Sequence, residues 1–186
     1  MIGFALTGSF CTLSKSLDIM GKLIADGYEI LPILSENVYN IESIFGRARD
    51  IKTKAEEICG REVIHTISDA EPLGPKINLD AMIICPCTGN TLAKLANGIT
   101  DTSVTMAAKA HLRNDRPLLI CLASNDALSA NLKNIATMLS RKNVYFTPMI
   151  QDDPINKPHS LVASFENVED SLRLCLLGKQ NPKIFI

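Results

Sequence analysis

The sequence predicts an α/β chain: a doubly wound sheet of six mainly parallel strands with helices on both faces. Two observations carry this. Short apolar runs alternate with longer stretches whose apolar residues recur every three or four positions. The turns after the strands are rich in Gly, Ser, Thr and Asn, as at the carboxyl edge of an open parallel sheet. The 186 residues, 46% apolar and 21% charged, suffice for one sizeable core, and one domain over 1–186 is expected.

The elements follow in order. Met1–Leu6 is a short apolar strand, and Thr7–Thr12 a turn of small and hydroxyl residues. A helix then aligns Leu13, Leu17, Met20 and Ile24, with Gly27 as its cap. Glu29–Leu34 is the second strand, ended by Ser35-Glu36-Asn37. From Ile44 to Cys59 the residues Ile44, Ala48, Ile51, Ala55 and Ile58 keep helical spacing, and Gly60 stops the helix. Val63–Ile67 reads as a short third strand, and the two Pro and one Gly of Asp69–Asn78 as a loop. Leu79–Cys85 is the fourth strand. The polar turn Pro86–Thr91 leads from it into a helix with Leu92, Leu95, Ala96 and Ile99 on its apolar face. A helix near Ser103–Arg113 precedes the fifth strand, Leu118–Ala123. Ser124-Asn125-Asp126 opens a helix aligned on Leu128, Leu132, Ile135 and Leu139, and Val144–Thr147 is the sixth strand. Gln151–Ser160 has two Pro and no apolar period and reads as a mobile loop. The last helix starts near Asn167, with Asp170 placed as in a capping box, and buries Val168, Leu172, Cys175 and Leu176. The tail after Lys179 is expected to be exposed. Together these elements make a Rossmann-like (flavodoxin-like) fold.

Bulk composition narrows the function. A net charge of −1 leaves no electrostatic footprint for nucleic acid. The apolar N-terminal run lacks the basic flank of a signal peptide, and no run approaches the roughly 20 residues of a membrane span, so a cytoplasmic chain is expected. Cys85, Cys121 and Cys175 sit in apolar runs and read as buried thiols in a reducing compartment. Cys85-Pro86-Cys87 has no second pair at zinc spacing, so no metal is expected.

Four polar turns converge on one edge and define one site. Thr7–Thr12 lacks both G-x-G-x-x-G and the Gly-Lys of a phosphate loop. Gly8 permits close backbone approach. The Ser9 and Thr12 hydroxyls, with the helix N–H groups, suit one phosphate and favour a mononucleotide such as FMN over NAD. The same hydroxyls also suit a simple helix cap. Cys11 is either a reactive thiol beside an anion site or a small turn residue. Asn90 and Asn125 offer amides for a cofactor carbonyl or a substrate carboxylate, or else make Asx turns. Ser35, Pro86, Thr88, Thr91 and Ser124 complete the cofactor-binding set. His65 reads as strand packing, His111 as part of a solvated helix face and His159 as a loop residue, and no catalytic triad is suggested. The basic run Arg47–Lys54 reads as a solvated helix face or as a lure for an acidic substrate.

Pro86-Cys87-Thr88-Gly89-Asn90-Thr91, followed by Ala93-Lys94-Leu95-Ala96-Asn97-Gly98-Ile99-Thr100-Asp101, resembles the signature of the flavoprotein family that includes the oligomeric FMN-dependent cysteine decarboxylases. Ser124-Asn125 stands where that family carries a P-x-M-N motif, without the Met, and Gln151–Ser160 stands where it places a substrate clamp. Thr7–Thr12, Glu71–Lys76 and Ser160–Ala163 narrow the resemblance to a branch found in spore-forming bacteria. That resemblance implies FMN and a homo-oligomer (trimer or dodecamer). It also implies a small dicarboxylate substrate oxidised from a dihydropyridine, and a dehydrogenase-like partner subunit that binds NADP. The family's catalytic His, in an H-I-x-L segment, is replaced here by Lys76 in Lys76-Ile77-Asn78-Leu79. An ammonium is a poor base near pH 7, which argues against decarboxylation. Lys76 could instead pair with a substrate carboxylate, and Lys76, Asn125 and Cys11 are the catalytic candidates. A non-catalytic subunit that supports its partner, and a flavin-dependent decarboxylase, stand as alternatives.

Overall fold

The computed structural model describes residues 1–186. Five parallel strands form the centre of the sheet in the order β2-β1-β3-β4-β5: β1 (Ile2–Leu6), β2 (Ile30–Leu34), β3 (Ala81–Thr88), β4 (Leu118–Ser124) and β5 (Val144–Phe146). Alternate side chains of each strand enter opposite layers. Phe4, Ile83 and Cys121 pack on one face with α1 (Leu13–Ala25), α3 (Ala48–Cys59) and α8 (Val168–Leu176). Ala5, Ile84 and Ile120 pack on the other with α4 (Ile67–Ala70), α5 (Gly89–Ala96), α6 (Ser103–Leu112) and α7 (Leu132–Leu139). The two layers hold 23 and 25 buried residues, so neither face dominates, as a doubly wound sheet requires. Burying one such Leu, Ile or Phe stabilises the fold by about 1.5–3 kcal/mol.

Two short strands extend this sheet, making seven rather than the six expected. β6 (Met149–Ile150) and β7 (Leu161–Ala163) are antiparallel. β5 covers the first half of β4, and β7 covers the second, with Ala123 opposite Val162 and Ser124 opposite Leu161. The tail is largely exposed, as expected, yet hydrogen bonds tie it to the sheet. Gln180 bonds both the N–H and the carbonyl of Phe146 at 2.8 and 2.6 Å. Met149 N–H donates to Ile184 O at 2.7 Å, and Ile186 N–H to Met149 O at 3.1 Å.

Other expectations need correction. Val63–Ile67 is not a strand. Only Ile64 bridges Ile33, because Thr66 then caps α4. The predicted helix from Ile44 starts at Ala48; Ile44 is 95% exposed in a turn closed between Ser43 and Gly46. The helix predicted from Leu128 starts at Leu132. Asn167 makes no side-chain cap, because its amide donates to Ser164 Oγ at 2.8 Å, and Asp170 faces Arg173 instead. His111 is buried rather than solvated, with Nε2 at 2.8 Å from Pro117 O. All six cysteines are unpaired, and Cys85, Cys87, Cys121 and Cys175 are buried. No helix is long and apolar enough to cross a membrane.

β1 connects to β2 on one side, while β3 lies on its other side. The strand order therefore reverses between β1 and β3, where open sheets leave a crevice at their carboxyl ends.

Candidate functional site

A cavity of about 700 Å³ occupies that crevice, within the range of cofactor sites. Three turns line it: Gly8–Thr12 after β1, Thr88–Asn90 after β3, and Ala123–Asp126 after β4. The loop after β6 adds Asp152, Lys157 and Ser160, and β7 adds Leu161 and Val162.

The floor is built by Thr7. Pro86 has no N–H to give the ladder, and the β3–β4 register shifts between Ile84 and Cys87, across the cis Cys85–Pro86 bond. On the other side of β3, Thr7, 1% exposed, continues the contact with β1 beyond their last pair, Ala5 and Ile84. Its Oγ1 donates to Pro86 O at 2.8 Å and accepts from Thr88 N–H at 2.9 Å. β3 runs on to Thr88 through its pairs Cys87–Leu122 and Thr88–Ala123 with β4, and α5 starts at the next residue, so half of the predicted turn Pro86–Thr91 is strand.

Hydrogen bonding sorts the predicted residues into framework and free donors. Thr88 Oγ1 caps α5 by accepting from Thr91 N–H at 3.2 Å and donates to Thr91 Oγ1 at 3.0 Å. Thr91 is buried beneath the wall, as is Pro86. Thr12 Oγ1 donates to Ser9 O at 2.9 Å, which spends the hydroxyl proton a phosphate would need. Ser124 Oγ donates to Asp126 Oδ1 at 2.5 Å. Ser35 does not line the cavity; it caps α2 (Glu36–Asn40) through Val38 N–H at 3.4 Å. In contrast, the side chains of Asn90 and Asn125 face the cavity exposed and without an internal partner. Ser9 Oγ has only a long contact with Cys11 Sγ, at 3.9 Å. The backbone N–H groups of Gly8, Phe10, Cys11 and Asn90 also have no internal acceptor. Donors at two helix starts facing one crevice fit a phosphate on one wall and carbonyl acceptors on the other.

Lys76 lies elsewhere. It is exposed in the loop before β3, at the amino edge of the sheet, and the cavity is at the carboxyl edge. The α3 cations Arg47, Arg49, Lys52 and Lys54 do not line the cavity either. Lys52 sits 5.4 Å above the Tyr39 ring, which stacks on His65.

Sequence reasoning passed over Asp126, Asn131 and Lys157. Asn131 Nδ2 donates to both Asp126 oxygens at 2.8 and 2.9 Å. The Ser124 and Asn131 hydrogen bonds hold the Asp126 carboxyl below its ordinary range, so it stays an anion and a weak base. The signal was local: Asp126 ends the polar turn that contains Asn125, and an amide follows five residues later. Phe45, 61% exposed at the cavity rim, was hidden by an apparent helical period.

The Flavoprotein family model matches residues 1–171. This chain belongs to the Flavoprotein family. It is 42% identical over 185 residues to a dipicolinate synthase subunit of Bacillus subtilis (strain 168), a match covering 100% of this chain and 92% of that one. A crystal structure of the same dipicolinate synthase subunit from Bacillus halodurans superposes with a TM-score of 0.91 at 39% identity, covering 100% of this chain and 95% of that one. AnUbiX, solved in complex with FMN and dimethylallyl pyrophosphate, shares the fold at a TM-score of 0.63 and 20% identity, covering 94% of this chain and 90% of that one. In this flavoprotein the residues of the family signature divide in two. Pro86, Thr88 and Thr91 shape the wall, and Asn90 faces the ligand space.

Proposed function

We propose that this flavoprotein is the FMN-binding subunit of an oxidoreductase that converts dihydrodipicolinate to dipicolinate during sporulation, in the mother-cell cytoplasm. It works beside a dehydrogenase-like partner subunit that binds NADP. The observation that carries this reading is the set of uncommitted donors in one crevice: the Gly8, Phe10 and Cys11 N–H groups and Ser9 on one side, and Asn90 and Asn125 on the other. The first group is placed to hold the phosphate, and the second to hold polar atoms of the ribityl chain and ring. FMN, when bound, supplies a hydride acceptor for a dihydropyridine ring whose aromatisation drives the reaction. The chain's residues bind and orient. Asn125 presents an amide to ring or substrate, and the loop after β6 walls the cavity from solvent.

Ile41, Ile44 and Ile155 are exposed, as is Phe45 at the rim, and an apolar collar of this kind favours self-association into a homo-oligomer. A second reading, a binding subunit whose partner does the chemistry, is favoured by the weak basicity of Asp126 and the position of Lys76. Titration with FMN followed by gel filtration separates the two. The expected result is a yellow protein whose flavin band bleaches under anaerobic dihydrodipicolinate. A colourless protein after excess FMN would overturn the first reading.

A further inference from the structure

We infer that Lys157 is the residue that selects a carboxylate-bearing substrate in this cavity, with Asp152 holding the lysine until that carboxylate arrives. The inference rests on the function proposed above, which makes the substrate a small dicarboxylate.

Lys157 is the only cation lining the cavity, against two anions, Asp126 and Asp152. The anions differ in availability. Asp126 is locked by Ser124 and Asn131 on the wall after β4, where a substrate carboxylate would meet like charge. Asp152 bonds Lys157 Nζ at 3.2 Å, in a pair whose side chains are 36% and 53% exposed. Exposed pairs of this kind are weak and exchange readily. A ligand carboxylate that brings its own desolvated ring to the same lysine competes well against Asp152.

The loop is built to present this lysine rather than to flop. Lys157 N–H donates to Asp153 O at 2.8 Å, and Ser160 N–H to Lys157 O at 3.0 Å. Asp153 accepts from Asn156 N–H at 3.0 Å and from its amide. Gln151 Nε2 closes the loop base on Pro158 O at 2.9 Å, and Leu128 N–H ties His159 O to the turn after β4 at 2.9 Å. The ammonium and the locked carboxylate thus come from two different loops that line the cavity, and a dicarboxylate is attracted by the first and repelled by the second.

The test is calorimetric binding of dipicolinate to the purified chain in the presence of FMN. Lys157→Met should weaken dipicolinate binding about 10-fold or more, and Lys157→Arg should keep it within about 3-fold. Asp152→Asn, which removes the competitor, should tighten it by about 2–3-fold. Thermal midpoints and circular dichroism should be unchanged in all three, which shows that each variant is folded. A Met variant that binds dipicolinate like wild type overturns the inference, and so does a wild-type protein that takes up FMN but ignores dipicolinate. Failure of the flavoprotein reading shows separately, as wild type that takes up no FMN.

Discussion

At the residue scale, Gly89 has no room for a side chain. A Cβ there would stand 2.3 Å from Ser124 Oγ, 2.6 Å from Asn131 Nδ2 and 2.9 Å from Asp126 Oδ1. The hydrogen-bonded cluster after β4 packs directly on the start of α5, and only a missing side chain permits it. Gly89→Ala should cost about 1–3 kcal/mol by overpacking. Thermal denaturation would register the cost, and FMN titration should show weaker uptake as the wall shifts. His111 sets a pH limit of its own. Burial is the main cause that holds its imidazole below the ordinary range, helped by the Arg116 charge and opposed by its hydrogen bond to Pro117 O. A folded-state pKa below the unfolded one means that the unfolded chain binds the extra proton first. The stability contribution is therefore complete above the unfolded value of about 6.5 and is lost as pH falls through the lower folded value. Urea midpoints measured from pH 8 down to 5 should fall across that window. In His111→Leu, which is less stable throughout because Pro117 O loses one of its two donors and keeps only Met82 N–H, that part of the slope should disappear.

At the scale of elements, the join between β1 and β3 positions the site. Thr7→Val keeps the shape and the backbone bond to Pro86 O but removes both side-chain bonds to β3, which should cost about 1–3 kcal/mol and speed amide exchange at Thr88. Much of this architecture was legible. β1, β3 and β4 are central and buried on both faces, so each announces itself as an unbroken apolar run. β6 and β7 could not be read, because two or three residues become strand only by pairing with partners distant in sequence. Val63–Ile67 misled for the opposite reason: an apolar run looks like a strand even where one residue pairs. The site was legible as a set of turns. Which hydroxyl was already spent was not, since that depends on where each proton goes. Thr12 and Ser124 look the same in sequence as Ser9, and only geometry shows them committed. Lys157 reaches the cavity and Lys76 does not, and nothing in a linear string says which edge of a sheet a loop occupies.

For the whole molecule, the apolar collar makes assembly a measurable expectation. Ile44 is 95% exposed and Ile155 89%, on two separate loops that meet no core. Ile44→Glu should leave the monomer's thermal stability nearly unchanged and lower the sedimentation coefficient, by splitting the homo-oligomer proposed for wild type. An unchanged coefficient at micromolar concentration would remove the collar from the interface.

The tail has a consequence for the order of events during synthesis. Leu161 and Val162 complete the cavity wall on β7, β7 is held by β6, and β6 is held in turn by Ile184 and Ile186. A ribosome-bound chain that has emerged only as far as residue 160 already carries all three strand-end turns, yet it has a trough where the finished fold has a pocket. Ligand retention should therefore switch on late, when the segment from Leu161 to Ile186 clears the exit tunnel, well after the central sheet has formed. Arrested nascent chains of increasing length, scored for retained flavin fluorescence, should show that step rather than a gradual rise.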